Sequence, residues 1–588
     1  MKKFLLGLAC GLVFALLVGV VLIFAIAKFA SSTEETVNAE SLLMMRLAGP
    51  IGEKPAEEFS LPWLDAQNAV TILEIREMLD RAAQDKKIKG VFLDLGQLSA
   101  GWAKVEEIRE RLELFKKSGK PVYAFLRTPG SKEYLLATVA DRISMVEEDY
   151  LDLKGLRAER MFFKNTLDKV GVEMEIIHAG KFKDFGDSYT KTAMSAESKE
   201  ALNGILDGIY ATLVEGIAKG RKRDAAAVKK LIDEGPYLAK AAKQAGLVDE
   251  LEYENVAVEA LAKKANVSSR SRTSLRSYRK QVRRGWERDR ENRIAYLVAE
   301  GDILRGTGGG FGEEGIIASR SFIRDVEALK QDERYKGVVL RIDSPGGDAI
   351  ASDELLAAVK SLSEKKPTVI SFSDVAASGG YYMAVTGDEI TAYPSTITGS
   401  IGVVYGKPNV KGLYQKLGLT KDYLKRGANA DIDLEDQPLS EIGRRKLREG
   451  VDESYRTFLA RVAKGRNAKV EEIAPLAEGR AWVARDPQAK RLTDQLTGLS
   501  GAVEALRKKM KLDAAAKVYL HPYPSPDSAW RKWFSEGDMN AASPDALLRR
   551  AFPMSYEQKQ LETFRKALRP ALVEGGMMRR MLYTIEVK

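Results

Sequence analysis

The 588-residue chain contains very little cysteine and histidine: one cysteine, Cys10, and two histidines, His178 and His521. A single cysteine excludes any disulfide within the chain and any metal cluster held by several thiolates. Two histidines leave little material for a histidine-rich metal site or for a catalytic triad that uses imidazole. No phosphate-binding loop is evident either, so the sequence predicts no nucleotide cofactor. Any catalysis by this chain is therefore expected to avoid imidazole and to need no metal or other cofactor.

The excess of positive charge is concentrated in one short stretch. The formal net charge is +10, and residues 270–290 are dense in arginine and lysine, with only Glu287 and Asp289 to balance them. Such a run is most often a solvated linker, and contact with anionic lipid headgroups is the sharper alternative. No nucleic-acid-reading module accompanies the charge, so nucleic acid is not expected as a partner. The sequence does not decide between the linker and the lipid contact.

The N-terminus carries a long apolar run. Phe4 to Ala27 contains no charged residue and follows Lys2 and Lys3. As a helix it would be long enough for a hydrocarbon core of about 30 Å, so residues 1–30 are predicted to be a single-pass transmembrane anchor in contact with membrane lipid. The two lysines place its N-terminal end in the cytoplasm, and the rest is expected on the periplasmic, extracytoplasmic side of the inner (cytoplasmic) membrane. Cleavage after Ala27 is the alternative.

Residues 337–430 are a diverged copy of residues 90–183, at an offset of 247 positions (337 minus 90). The copies differ where chemistry is expected. Ser378, in a glycine-framed turn, falls on Ser131, which has lost the glycines, and Lys183 falls on Ala430. A serine thus survives in one copy and a candidate base in the other. This pattern indicates a single active site that is divided across a duplicated fold.

The duplication predicts the domain organisation. The predicted units are a first repeat at 41–266, a basic linker at 267–291, a second repeat at 292–512 and a C-terminal tail at 513–588. Within each repeat, short continuous apolar runs alternate with helical patterns; strands are predicted at 294–298, 337–340 and 369–372, and a helix at 352–362. Such runs favour α/β domains whose parallel strands are joined by βαβ crossovers. The pattern of the tail assigns it no role.

Two glycine-bearing turns in the second repeat each follow a strand-like run. They are Asp343-Ser344-Pro345-Gly346-Gly347 and Ala376-Ala377-Ser378-Gly379-Gly380. A nucleophilic serine needs a tight turn that exposes its hydroxyl, and glycine supplies the backbone freedom. An oxyanion needs two convergent N–H donors, which two adjacent glycine turns can provide. The first copy has Gln97-Leu98-Ser99-Ala100 in place of the first turn, so it has lost both turns together, which favours a catalytic role over a structural one.

These turns, followed by Thr398-Gly399-Ser400-Ile401-Gly402, resemble the motifs of the signal peptide peptidase A family in order and spacing. The tandem repeat and the apolar N-terminus resemble its long, membrane-anchored bacterial form, and the resemblance covers most of residues 1–510. It implies two tandem Clp/crotonase-like domains, a homotetramer that encloses the active sites, and an ATP-independent serine endopeptidase without a cofactor. The substrates it implies are cleaved signal peptides and other short or unfolded peptides.

The resemblance also implies roles for individual residues. Ser378 matches the nucleophile of the family, and Gly346 and Gly379 match the donors of its oxyanion hole. Ser400 matches the residue that hydrogen-bonds to the amine of the catalytic lysine. The lysine itself is expected from the first repeat, which completes a Ser–Lys dyad.

The general base that the resemblance selects is Lys183, because Gly180 followed three positions later by lysine matches the family's base motif. A free lysine has a pKa near 10.4 and is a poor base at neutral pH, but enclosure in an apolar site favours the neutral amine. Lys181 is the alternative base. His178 lies close in sequence but matches no catalytic position of the family, so a structural role is expected for it.

Two other classes of function remain open at this point. The crotonase-like fold also suits acyl-CoA chemistry, because it binds thioesters with similar paired amides. A membrane scaffold without turnover is the second alternative, and a serine-reactive probe aimed at Ser378 separates it from an enzyme. The segment 310–315 fits a dinucleotide-binding string, but its acidic residues disfavour a pyrophosphate, so it is interpreted as a loop. The sequence identifies neither the cleavage preference nor the residues of the specificity pocket.

Overall fold

The computed structural model describes residues 40–54, 70–280, 291–307, 315–513 and 516–524, together with the backbone of 576–580. Among these residues, no helix combines the length and the apolar character needed to cross a membrane. The predicted transmembrane segment at 1–30, the second half of the basic run, and most of the glycine-rich loop lie outside the described residues. The membrane anchor therefore stays a prediction.

The first half of the chain alternates strands and helices, as the apolar runs predict. Its elements are β1 (Ser41–Pro50), α1 (Ile72–Gln84), β2 (Ile88–Ser99), α2 (Trp102–Lys116), β3 (Val122–Leu126), α3 (Ser131–Ala137), β4 (Arg142–Met145), β5 (Tyr150–Leu151), α4 (Lys164–Val170), β6 (Glu173–Ala179), α5 (Asp187–Thr190), α6 (Ala196–Arg221), α7 (Ala225–Asp233), β7 (Tyr237–Leu238), α8 (Ala239–Gln244), β8 (Glu250–Leu251), α9 (Glu254–Ala265) and β9 (Arg272–Ser274).

The second half repeats the alternation. Its elements are β10 (Arg293–Leu304), β11 (Ile316–Ala318), α10 (Ser319–Gln331), β12 (Gly337–Asp348), α11 (Ala349–Lys365), β13 (Thr368–Ala377), α12 (Gly379–Tyr382), β14 (Ile390–Thr391), β15 (Ile397–Gly399), β16 (Val403–Asn409), α13 (Lys411–Lys416), α14 (Glu441–Gly465), α15 (Val470–Ile473), β17 (Ala481–Val483), α16 (Gly498–Lys509), β18 (Tyr519–Tyr523) and β19 (Gly576–Arg580), with short 3₁₀ helices at Ala474–Leu476 and Pro487–Ala489.

Six strands of the first half form one sheet in the order β8-β4-β3-β2-β1-β9, and its neighbouring strands run parallel. Parallel neighbours need crossover connections, which α1, α2 and α3 supply between successive strands. The strands are continuous apolar runs with buried side chains such as Val91, Leu93 and Leu95, because helices cover the sheet. β9 adds an edge strand from within the stretch predicted as the linker.

The second sheet has eleven strands. They follow the path β17-β15-β13-β12-β19-β16-β6, with β10 beside β12, β11 and β18 beside β10, and β14 beside β13. β10, β12 and β13 are mutually parallel neighbours, which confirms the strands predicted at 294–298, 337–340 and 369–372. The predicted helix at 352–362 lies within α11, whose first turn is capped by the Asp348 carboxylate.

Strand β6 belongs to the first half of the sequence but lies in the sheet of the second half. It pairs antiparallel with β16, from Ala179 opposite Val403 to Glu173 opposite Asn409. Apolar side chains on the two strands, Ile177 and Val403 among them, share one buried cluster. Because β6 pairs with β16, the chain that follows it, from Gly180 onward, lies against the second half.

Apolar packing also joins the two halves. The core of the first half includes Ile205 and Ile209 of α6 together with Ile397 and Val483 of the second half. α6 packs closely against β17 at Gly208. A Cβ added to this glycine would lie 2.3 Å from a methyl carbon of Val483, so the contact requires a residue without a side chain. The two repeats therefore pack as one body around a shared apolar interface.

Candidate active site

Ser378 occupies a sharp turn between a strand and a helix. β13 ends at Ala377, and α12 begins at Gly379. Ser378 itself has φ +53° and ψ −118°, a region that costs a non-glycine residue about 1–3 kcal/mol. Hydrogen bonds hold the turn: the Ser378 N–H donates to the Gly399 carbonyl at 2.8 Å, and the Tyr382 N–H donates to the Ser378 carbonyl at 2.8 Å. The serine is fully buried.

Lys183 reaches this serine from the first half of the chain. Its Nζ lies 2.8 Å from Ser378 Oγ, 3.0 Å from Ser400 Oγ and 3.0 Å from the Ser400 carbonyl oxygen. The Lys183 side chain is buried, with 2% of its surface exposed, and so is Ser400. The structure thus brings together Ser378, Lys183 and Ser400, three of the five residues that the sequence nominates.

Three glycines make room for Lys183. Gly180 turns the chain at the end of β6 with φ +100°, and an added Cβ there would lie 2.4 Å from the carbonyl carbon of Glu478. A Cβ on Gly479 would lie 2.6 Å from Lys183 Cβ, and one on Gly402 would lie 3.1 Å from Lys183 Cδ. Side chains at Gly479 and Gly402 would crowd the lysine, and one at Gly180 would push the loop that carries it away from Glu478. Gly402 stands in a motif that the sequence analysis uses, whereas Gly479 carries no signal in the sequence.

Ser400 sits in a left-handed turn at the end of β15, with φ +49°. Its N–H donates to the Arg480 carbonyl at 2.7 Å, which fixes the turn on the segment before β17. The Arg480 guanidinium lies over the ring of Phe182 at 5.0 Å and over that of Trp482 at 4.2 Å. Stacking of this kind between a cation and aromatic rings stabilises the loop that carries Lys183.

The two nominated oxyanion donors lie in turns that pack against each other. Gly379 directly follows Ser378, and a Cβ on its neighbour Gly380 would lie 2.5 Å from the Ser344 carbonyl oxygen. Gly346, with φ +104°, donates its N–H to Ser344 Oγ at 3.2 Å. Ser344 Oγ in turn donates to the Gly301 carbonyl at 2.6 Å. The Gly346 N–H is therefore engaged within its own turn in this structure, by a long hydrogen bond.

The alternatives weighed from the sequence lie outside the cluster. Lys181 is exposed, and its Nζ sits 5.0 Å from the centre of the Phe182 ring. His178 is also exposed, with Nδ1 at 3.0 Å from the Gly180 carbonyl oxygen. Within the described ranges, no group of His, Cys, Asp and Glu side chains is arranged to hold a metal ion.

The sequence does not single out a second buried lysine, Lys104. It comes from α2 in the first half and contacts Asp343 and Asp374, which lie just before the two glycine turns. Asp343 belongs to the motif Asp343-Ser344-Pro345-Gly346-Gly347, and this position is the feature of the sequence that could have indicated its role. Nothing in the sequence pairs it with a lysine more than two hundred residues earlier.

A buried serine on a strand–turn–helix, with a buried lysine at hydrogen-bonding distance, is an arrangement found among serine hydrolases. Here it is built on an α/β fold in two repeats. Comparison with known proteins gives the class its family: residues 114–268 and 360–513 each match the model of peptidase family S49. The chain belongs to peptidase family S49 and is a serine peptidase.

Relatives over most of the chain carry protease names. A chloroplastic serine protease SPPA from Arabidopsis thaliana is 32% identical over 493 residues, covering 83% of this chain and 72% of the relative. A protein named Protease 4 from Haemophilus influenzae is 28% identical, covering 82% of each chain. Protease 4 of Salmonella typhi is 28% identical, covering 85% of this chain and 83% of the relative.

Proposed function

We propose that this protein is a membrane-anchored, ATP-independent serine endopeptidase in which Ser378 is the nucleophile and Lys183 the general base. The observation that carries the proposal is the 2.8 Å contact between Lys183 Nζ and Ser378 Oγ, made between the two halves of the chain. Both groups are buried, so the amine is shielded from the water that would otherwise solvate its charged form. A neutral amine at this distance can accept the serine proton directly.

The proposed reaction uses the amine twice. Lys183 takes the proton from Ser378 Oγ as the oxygen attacks the peptide carbonyl carbon, and the C=O electron pair moves onto the oxygen. The lysine then gives that proton to the leaving amine as the C–N bond breaks and an acyl-serine forms. A water molecule, deprotonated by the same amine, then attacks the acyl carbon. The acyl–Oγ bond breaks, the amine returns the proton to Ser378 Oγ, and the carboxylic acid product leaves. The Ser400 hydroxyl, at 3.0 Å, keeps the amine directed at Ser378 throughout.

The oxyanion is assigned to the backbone N–H groups of Gly379 and Gly346. Gly379 is the residue after the nucleophile, where an N–H points to the developing charge in many serine hydrolases. The Gly346 N–H now donates to Ser344 Oγ at 3.2 Å, so substrate binding has to exchange this long bond for one to the oxyanion. A charged oxyanion is a stronger acceptor than a neutral hydroxyl, which favours the exchange.

The strand position beside these turns suits an extended peptide. Strand β19 lies between β12 and β16 and pairs antiparallel with both, Met578 standing opposite Asp348 on one side and Val404 on the other. On the β12 side the pairing reaches Gly346, the nominated oxyanion donor. A segment of this chain therefore occupies a strand position next to the nucleophile. A substrate bound by strand addition would make the same backbone contacts.

A proline at position 578 is expected to lower the KM for peptide substrates. Met578→Pro removes one backbone N–H, and proline is disfavoured in a strand that has neighbours on both sides. We therefore expect β19 to leave its position between β12 and β16. Because a tethered segment competes at high effective concentration, we expect KM to fall roughly 3- to 10-fold while kcat stays unchanged. Steady-state hydrolysis of a fluorogenic peptide measures both. Met578→Ala, which keeps the backbone pairing, should match the wild-type KM; a proline variant with the same KM would contradict competition by β19.

The substrates and location in this proposal come from the family resemblance. Cleaved signal peptides left in the membrane are apolar, short and unfolded, and an enzyme anchored by residues 1–30 would meet them there. The apolar, uncharged run from Phe4 to Ala27 supports this anchoring. We place the catalytic part on the periplasmic, extracytoplasmic side, and a homotetramer that encloses the sites would exclude folded proteins.

The test uses the full-length chain in detergent micelles. We expect hydrolysis of a fluorogenic peptide that contains a signal-peptide-like apolar core, without added ATP or metal. A fluorophosphonate probe should label the protein at Ser378, as located by mass spectrometry. Hydrolysis of an acyl-CoA instead of the peptide would favour the thioester alternative. A folded protein that neither cleaves the peptide nor reacts with the probe would favour a scaffold and end the proposal.

A further inference from the structure

Lys104 lies beneath the two active-site turns. It is the third residue of α2, and its side chain is 6% exposed. Its Nζ lies 2.8 Å from Asp374 Oδ2, contacts Asp343 Oδ2, and is 3.9 Å from Glu53 Oε1. Asp343 and Asp374 belong to the second half of the chain, whereas Lys104 and Glu53 belong to the first. A cation from one repeat is therefore held by carboxylates of both.

The two aspartates tie the active-site turns to each other. Asp343 immediately precedes Ser344 of the first glycine turn, and Asp374 stands four positions before Ser378. Asp343 Oδ1 also accepts the N–H of Val375 at 3.0 Å, which links the middle of β12 to the last turn-proximal residues of β13. A shift of either carboxylate would move the backbone of the turn beside it.

Asp374 also caps the helix that carries Lys104. Its carboxylate accepts the N–H of Gly101 at 3.0 Å and the N–H of Lys104 at 3.0 Å. Gly101 has no side chain to cap α2, and a Cβ there would lie 2.1 Å from Asp374 Cγ. An acceptor with negative charge stabilises a helix N-terminus. The start of α2 is thus fixed on the strand that leads to the nucleophile.

We infer that Lys104 is a positioning residue for the peptidase site: through Asp343 and Asp374 it holds the oxyanion turn and the nucleophile turn in register against the first repeat. This inference rests on the proposed function of Ser378. The first repeat would then contribute two lysines, Lys183 to the chemistry and Lys104 to the alignment of the groups it acts on. A misplacement of about 1 Å at reacting groups can cost about 10²-fold in rate, so alignment of this kind is expected to appear in kcat.

The cluster also has a defined response to pH. Burial raises the pKa of Asp343 to about 6, with further upward contributions from Asp374, Glu53 and Glu300, while Lys104 lowers it. Burial disfavours the charge of Lys104, but Asp343, Asp374 and Glu53 raise its pKa well above its usual value. The Lys104–Asp343 pair is therefore intact above pH 6 and is lost as the pH falls through about 6, when Asp343 takes up a proton. Without Lys104, Asp343 would take up its proton at a higher pH.

The experiment compares Lys104→Met with Lys104→Arg in the full-length protein in detergent, using the fluorogenic peptide. For Lys104→Met we expect kcat to fall roughly 10- to 100-fold with KM within about threefold of wild type. The loss of kcat that follows protonation of Asp343, the acid limb near pH 6 in the wild type, should move up by about one pH unit, because the cation that lowers the Asp343 pKa is gone. Protonation of the base Lys183 limits kcat separately. Lys104→Arg keeps the charge and should recover most of the kcat and the wild-type acid limb.

The matched control is Lys116→Met on the same helix. Lys116 pairs with Asp141 at 2.7 Å within the first half, so its loss should leave kcat and the pH profile unchanged. If Lys104→Met fails to fold, as judged by gel filtration and circular dichroism, Asp374→Asn replaces it, with the same expected loss of kcat. Wild-type kcat and acid limb in either variant, or no rescue by arginine, would overturn the inference. A wild-type protein without peptide hydrolysis would instead overturn the proposed function.

Discussion

Peptide hydrolysis is expected to fall about 10⁴- to 10⁶-fold in kcat when Ser378 or Lys183 is replaced by alanine. Ser378→Ala removes the oxygen that attacks the carbonyl. Lys183→Ala removes the acceptor for its proton, which stands 2.8 Å away. Ser378 Oγ would then be buried with no base beside it. The measurement is hydrolysis of the fluorogenic peptide at saturating concentration, together with the rate of fluorophosphonate labelling.

Two comparisons make this prediction specific. The double variant Ser378→Ala/Lys183→Ala should be no slower than the single variants, because the two groups act as one unit and their losses do not add. Lys181→Ala should retain most of the activity, because Lys181 is exposed and lies over the Phe182 ring, away from Ser378. Activity that survives Lys183→Ala but not Lys181→Ala would reverse the assignment of the base.

The largest expected effect on stability is at Arg341. This side chain is fully buried; its Nη2 lies 2.7 Å from Glu107 Oε2 and 3.0 Å from Glu53 Oε1, and both glutamates come from the first half. Arg341→Met would leave both buried carboxylates without their shared partner, and Lys104, whose Nζ is 3.9 Å from Glu53 Oε1, would compensate only in part. Removal of one partner from a buried ion pair costs about 3–5 kcal/mol. At about 2.1 cal/mol/K of unfolding entropy per residue over roughly 500 residues, we expect the thermal midpoint to fall by about 3–5 °C. Differential scanning calorimetry or fluorimetry measures this shift.

The control and the pH dependence separate this effect from a general loss of charge. Arg334 pairs with Asp332 on the surface and is 70% exposed, so Arg334→Met should change stability by less than about 0.5 kcal/mol. Burial raises the pKa of Glu53, but Arg341 and Lys104 outweigh it and lower that pKa from 4.5 to about 2. A carboxylate whose pKa is lowered in the folded state stabilises the fold at pH values above its ordinary pKa. This contribution is lost as the pH falls through the pKa of the folded state. The difference in thermal midpoint between wild type and Arg341→Met should therefore become smaller as the pH falls from about 4.5 toward 2. Equal midpoints at pH 7 would contradict the prediction.

Much of the candidate site was predictable because the duplication acts as an internal comparison. Strand positions followed from continuous apolar runs, and the glycines around Ser378 stood out because the first copy lacks them. Lys183 needed the family motif, since most lysines are solvated and nothing local distinguishes a buried one. The structure then brought Lys183, Ser378 and Ser400 together across the two halves.

The remaining features depend on contacts between distant parts of the chain. The pairing of β6 with β16 cannot be predicted from the sequence, because an apolar strand fits either sheet equally well. Strands β9 and β18 have three and five residues, too few for a periodic pattern, and they lie in the stretches predicted as linker and tail. The engagement of the Gly346 N–H by Ser344 is a matter of a few tenths of an ångström, which no motif specifies. The domain boundaries themselves stay predictions.

The pairing of β6, from the first half, with β16, from the second, bears on when the protein can become active during its synthesis. The ribosome completes the half that carries the proposed base first, and Ser378, the serine that this amine contacts, is synthesised 195 residues after Lys183. On the proposed mechanism, cleavage has to wait until the later half has folded and β6 has paired with β16. A translation product that ends before Ser378 is then expected to be inactive. The proposed dyad would thus delay peptide cleavage until both halves have been made.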